Sequence, residues 1–156
     1  MSAVAKSLTE FFNRIDKDKS GALDFKEFSL LFQKLGFKGK LPLAASVCFY
    51  TIIGIPQDKN ISLEQFLSIY GDMPNTRFAT IHDHTIKKLF EACDLDHSGT
   101  ISVNEISSIF SKLGQRVSTG QAETYLRQFD KDKNGVLDVN EFNLLMNKVF
   151  RDYSSQ

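Results

Sequence analysis

The 156 residues predict an all-α chain of two lobes, each a pair of helix-loop-helix units with a short β-bridge between the paired loops. Three observations carry that prediction. A twelve-residue loop rich in Asp, Gly and Glu occurs at residues 16–27, 94–105 and 130–141, and an eroded copy lies at 54–65. Apolar residues on both sides of the loops recur at helical spacing. The residues at loop position 8, Leu23, Ile61, Ile101 and Leu137, follow one another at intervals of 38, 40 and 36, the mark of an internal repeat.

The helices can be taken in order. Ahead of the first loop, Leu8, Phe11, Phe12 and Ile15 share one helical face; after it come Phe28, Leu31, Phe32 and Leu35. Phe49, Tyr50 and Ile53 lead into the eroded loop, and Phe66, Ile69 and Tyr70 leave it. Ile86, Leu89, Phe90 and Cys93 precede the loop at 94, and Ile106, Ile109, Phe110 and Leu113 follow it. The last unit repeats the pattern with Ala122, Tyr125, Leu126 and Phe129, then Phe142, Leu145, Met146 and Val149. Thr80 with Asp83, and Ser118 with Gln121, are read as N-cap pairs opening the fifth and seventh helices. Gly36 and Gly114 suit C-caps. The turn-rich stretch 71–76 falls between the halves, so the expected organisation is residues 1–71, a linker at 72–79, and residues 80–156.

The loop spacing fits a hard cation that takes six to eight oxygen ligands. Positions 1, 3 and 5 supply Asp16, Asp18 and Ser20; Asp94, Asp96 and Ser98; Asp130, Asp132 and Asn134. Position 6 is Gly21, Gly99 or Gly135, where the chain must turn with positive φ. Position 7 offers a backbone carbonyl, from Ala22, Thr100 or Val136, and position 9, usually through water, is Asp24, Ser102 or Asp138. Position 12 is Glu27, Glu105 or Glu141, able to bind with both oxygens. Three Ca2+ sites follow, with Mg2+ as a competitor where position 9 is Asp. The loop at 94 has the fewest carboxylates and is expected to bind most weakly on its own.

The eroded copy lacks this chemistry. Its positions 1 and 3 are Gly54 and Pro56, its turn position is Lys59, and its position 12 is the neutral Gln65. Asp58 alone cannot hold calcium, and Glu64 could serve only in a shifted register. This unit is expected to be structural, pairing with the first loop.

On these loops and flanks the chain resembles the EF-hand superfamily, and within it the four-hand arrangement of calmodulin and troponin C. That resemblance implies a calcium sensor whose lobes open to take an amphipathic helix of a target protein. The alternatives are a calcium buffer and a constitutive subunit resembling a myosin light chain. The dead second loop further resembles divergent calmodulin-like proteins of unicellular eukaryotes, which implies cytoskeletal or uptake-related partners. Two departures from calmodulin bear on targets: fourteen Phe against three Met, and a net charge of zero. A stiffer, less acidic groove is expected to accept fewer targets.

Nothing in the sequence points to an enzyme: the acidic residues are accounted for as ligands, and there is no nucleophile elbow or phosphate loop. Balanced charge gives no reason to expect nucleic-acid binding. No stretch has the apolar length to insert in a membrane. With two cysteines expected to stay reduced, the protein is expected to be cytoplasmic and monomeric. Cys93 falls on a core stripe, whereas Cys48 falls off it and is expected to be exposed. His82 and His84, two apart, point to different sides of a helix and are not expected to share a metal.

Overall fold

Each loop ends by starting a helix, because position 9 is an N-cap and position 12 is the third helical residue. Asp24 with Glu27, Ser62 with Gln65, Ser102 with Glu105 and Asp138 with Glu141 all form reciprocal capping boxes. The computed structural model describes residues 2–55 and 59–154. Among these residues it has eight helices: α1 (Ala3–Ile15), α2 (Phe25–Lys34), α3 (Leu41–Ile53), α4 (Leu63–Tyr70), α5 (Phe78–Cys93), α6 (Val103–Lys112), α7 (Thr119–Phe129) and α8 (Val139–Ser154). Two-residue strands β1 (Ala22–Leu23) and β2 (Ile61–Ser62) pair antiparallel, with Leu23 opposite Ile61. In the C-terminal lobe Ile101 and Leu137 exchange both backbone hydrogen bonds, at 2.8 and 2.9 Å. The all-α architecture with bridged loop pairs is the one the sequence predicts.

The expected caps hold at α7, where Ser118 and Gln121 form a capping box. Gly36 and Gly114 take positive φ, 99° and 80°, just past α2 and α6. The fifth helix differs. It opens at Phe78, with Arg77 as an N-cap that makes no side-chain bond, so Thr80 lies inside the helix. Two interactions set this start. The Asn75 side chain accepts the Arg77 N–H at 3.0 Å, closing a local turn, and the earlier start carries Ile81 into the core.

Most core-stripe residues are buried and the rest pack half-buried against the same core, with Phe12, Phe28, Phe32, Phe49 and Phe66 packed ring against ring in the N-terminal lobe. The main departure is α3. Nine of its thirteen residues are buried, and none is charged. Ser46, Phe49 and Tyr50 face α2 and the first loop: Ser46 donates to the Phe25 carbonyl, and Phe49 stacks on Phe28 at 4.9 Å. Ala44, Cys48 and Ile52, on the opposite side of the helix, are buried too. Besides α2, the helices that pack against α3 are α5, α6 and α8 of the C-terminal lobe, which accounts for a second buried side. Cys48 is therefore fully buried rather than exposed, and its thiol is pushed up to about 12 by desolvation. Met73, in the turn-rich stretch, is buried as well.

Further contacts join the lobes. The Phe150 ring of α8 lies 6.4 Å from Phe32 and 6.1 Å from Phe37. Tyr70 and Thr85 share a buried hydrogen bond of 2.8 Å. His84 Nε2 donates to the Ile69 carbonyl at 2.6 Å and lies 3.1 Å from Asp72. His82 points elsewhere, toward Phe37 and Asp83, so the two histidines share no site.

Candidate metal centres

Three acidic clusters stand where the loop spacing puts them. In each, the carboxylates of positions 1, 3 and 12 bring one oxygen apiece to within 4.8 Å of one another: Asp16, Asp18 and Glu27; Asp94, Asp96 and Glu105; Asp130, Asp132 and Glu141. Position 1 closes the entering helix, so Asp16, Asp94 and Asp130 are the C-caps of α1, α5 and α7. The carboxylates of positions 1 and 12 are buried, and those of position 3 are exposed.

Backbone amides hold each cluster in shape. Asp16 accepts from Ser20 and Gly21 at 3.2 and 2.9 Å, and Asp94 accepts from Ser98 and Gly99 at 3.1 and 2.9 Å. Asp130 does the same with Asn134 and Gly135 at 3.2 and 2.8 Å. Both oxygens of each position-12 Glu also accept. Glu27 takes the N–H groups of Asp24 and Asp18, and Glu105 those of Ser102 and Asp96. Glu141 takes those of Asp138 and Lys131, the latter at 2.7 Å, so its outer oxygen sits one residue earlier in the loop. Ser20 and Ser98 donate to the position-7 carbonyls of Ala22 and Thr100 at 2.8 and 3.0 Å, which gathers two further oxygens. In the last loop Val136 donates its N–H to the Asn134 side-chain oxygen at 3.2 Å.

The backbone bends alike in all three loops. Gly21, Gly99 and Gly135 have φ of 83°, 83° and 85°. Position 4 is also left-handed, at Lys19, His97 and Lys133, with φ of 56°, 54° and 57°. Each of these non-glycine residues stands in a conformation that costs about 1 kcal/mol or more. Spacing alone does not reveal that feature. The repeated cost is offset where the bend turns successive oxygens toward one point.

Hydrogen bonding and charge crowding set the carboxylates' acidity. Asp18 and Asp96 are held below the usual carboxylate range, first by the Ser20 and Ser98 hydroxyls and then by the same residues' backbone N–H groups. In the last loop two neighbours diverge. Desolvation works to raise Asp130, but hydrogen bonds led by the Gly135 N–H outweigh it and the group ends lower. Asp132 is raised by desolvation, by the hydrogen bond it shares with Asp130, and by the Glu141 charge. Such crowding of negative charge is what a divalent cation relieves.

The second hand keeps the shape without the charge. Gln65 accepts the Ser62 N–H at 2.9 Å, as the position-12 glutamates do, but brings no carboxylate. Gly54 is the left-handed C-cap of α3, and Glu64 is exposed. Pro56 and Asp58 lie outside the described residues. Among the described residues the acidic clusters are those of the other three loops.

Sequence reading treats Tyr50 only as part of an apolar face. Its hydroxyl donates to the carbonyl of Leu23 at 2.6 Å, which ties α3 to the position-8 residue of the first loop. Burial raises its pKa well above the usual phenol value, with Asp24 and Glu27 adding to the effect.

Family comparisons agree with this geometry. A family model of an EF-hand domain pair matches residues 83–146, and one of a single EF-hand domain matches residues 7–36. The chain belongs to the EF-hand superfamily. Both matched stretches fall on loops with an acidic cluster. The chain is 27% identical to a 16 kDa calcium-binding protein of Schistosoma mansoni over 94% of this chain and 97% of that one. It is 27% identical to calcium-binding protein CML19 of Arabidopsis thaliana, over 92% and 83% of the two chains. A match of 28% to calcium-dependent protein kinase 4 of Plasmodium falciparum spans 92% of this chain but 28% of the kinase. The protein is a calmodulin-like EF-hand protein, and no helix among the described residues is long and apolar enough to cross a membrane.

Proposed function

We propose that this protein is a cytoplasmic calcium sensor with three working sites. The single observation that carries the site count is the triple cluster of carboxylates, each folded by the same backbone bends. Asp16, Asp18, Ser20, Ala22, Asp24 and Glu27 ligate the first ion. Asp94, Asp96, Ser98, Thr100, Ser102 and Glu105 ligate the second, and Asp130, Asp132, Asn134, Val136, Asp138 and Glu141 the third. Mg2+ competes at the first and last loops, where position 9 is Asp. Hand 2 completes an N-terminal lobe of residues 1–71, which residues 72–79 join to a C-terminal lobe of residues 80–156. Calcium reorients the helices around each filled loop and uncovers apolar surface for an amphipathic helix of a target protein, with cytoskeletal proteins as the first candidates.

A buffer is the second reading, and one observation favours it. The lobes cover each other, and the exposed large hydrophobics Leu43, Phe78, Leu95 and Val139 are scattered along the chain. Fluorescence of a hydrophobic dye separates the readings. A sensor gives a calcium-dependent rise that chelator reverses; calcium binding with flat dye fluorescence identifies a buffer.

A further inference from the structure

The lobe interface is the feature that the calcium sites leave unexplained. A helix exposed along one side carries charge on that side. From Leu41 to Ile53 there is none. Ala44, Cys48 and Ile52 form a second buried apolar face, on a helix that packs against α5, α6 and α8 of the other lobe as well as against α2. Phe150 extends the seam by packing against Phe32 and Phe37.

The helices that grip α3 are those whose ends the metal centres define. Asp94 closes α5, and Glu141 lies in the first turn of α8. The lobe contacts sit toward the opposite ends: Thr85 and His84 meet Tyr70 and Ile69 from the N-terminal half of α5, and Phe150 is near the end of α8. With 16 residues, α5 is about 24 Å long at 1.5 Å per residue. From Glu141 to Phe150 is about 13 Å along α8. Thr85 likewise lies about 13 Å from Asp94 along α5, so a 10° tilt about the loop end moves Thr85 and Phe150 by about 2 Å each. Close-packed contacts do not stretch that far; they hold or break.

We infer that the lobe interface is an autoinhibitory contact, in which α5 and α8 hold the Ala44–Cys48–Ile52 face of α3 until calcium fills the C-terminal loops and parts the lobes. This inference rests on the sensor reading, and it names the surface that such a sensor presents. The target-binding surface is then α3 together with Phe32, Phe37 and Phe150, contributed by both lobes. The N-terminal lobe is gated by ions bound in the other one. Linkage adds a reciprocal consequence: calcium must break the contact, so weakening the contact raises calcium affinity.

Cys48 reports the state of the seam. In the variant Cys93→Ser it is the sole thiol, and its reaction with dithionitrobenzoate at pH 8 is followed in chelator and in calcium, with hydrophobic dye binding read on the same sample. The expected result is a rate in chelator at least about 100-fold below that of the unfolded chain, rising at least about tenfold in calcium. Small-angle scattering of the unaltered chain gives a second readout free of any substitution. A compact chain of this length has a radius of gyration of about 15 Å, and calcium is expected to increase it by several ångströms. Phe150→Ala, checked for native helicity, is expected to raise Cys48 reactivity in chelator and calcium affinity by three- to tenfold.

Dye binding that rises while Cys48 stays protected and the radius holds overturns the inference and leaves the sensor reading standing. No dye response and no change at Cys48 overturns both. Calcium affinity unchanged or lowered in a folded Phe150→Ala variant also overturns the inference.

Discussion

Tyr50→Phe tests whether the first loop and hand 2 are held together as the geometry implies. The substitution removes one oxygen and almost no volume. Tyr50 is fully buried and donates to Leu23 at 2.6 Å. Without the hydroxyl, a buried carbonyl loses a donor. An unsatisfied buried group costs about 1–3 kcal/mol. Leu23 already pairs with Ile61 across the two strands, so the middle of that range applies. The net expectation is about 2 kcal/mol. Unfolding entropy near 2.1 cal/mol/K per residue amounts to roughly 0.33 kcal/mol/K for this chain, so Tm falls by about 6 °C. Circular dichroism melts in chelator, compared with the parent chain, read this directly. A fall below about 1 °C would show instead that the Leu23 carbonyl is satisfied without the hydroxyl.

Three further outcomes follow from particular residues. Glu141→Gln keeps the start of α8, because Gln65 makes the same capping bond in hand 2, so melts in chelator shift by about 1 kcal/mol or less. The same change removes a bidentate ligand and lowers affinity at the last loop by roughly 100-fold or more, which a calcium titration reads as loss of one ion. Ser98→Asp adds a carboxylate to the sparsest cluster and is expected to tighten that loop several-fold in the same titration. The buried thiols give a pH dependence. Cys48 and Cys93 are both pushed up to about 12 by desolvation, so the unfolded chain ionises first. Stability is fully present below a thiol's ordinary value near 9 and is lost as pH rises toward 12. At pH 10 the expected loss is on the order of 1 kcal/mol per thiol, and denaturant midpoints for Cys93→Ser should show a shallower alkaline decline.

How legible each part was depends on what fixes the residue. Asp16, Gly21 and Glu27 and their repeats could be read because a bound ion dictates oxygen positions and turn geometry one loop at a time. The helical stripes could be read for the same local reason. Cys48 could not, because a stripe pattern assigns each helix one buried face, and α3 has two. The available signal was the uncharged run from Leu41 to Ile53, which leaves no side suited to water. Thr80 misleads as a cap because a turn closed by Asn75, together with burial of Ile81, fixes the start of α5 from outside the local motif. The role of Tyr50 escapes because its hydroxyl acts across 27 residues of chain, on a carbonyl that any residue at position 23 would supply.

Three working metal centres beside one structural hand is a count that can be measured outright. Native mass spectrometry of the unaltered chain, titrated with calcium from chelator, counts the ions directly. Three bound ions, falling to two in both Glu27→Gln and Glu141→Gln and remaining three in Gln65→Ala, is the result predicted here. A fourth ion lost on changing hand 2, or a count of two in the unaltered chain, would contradict it.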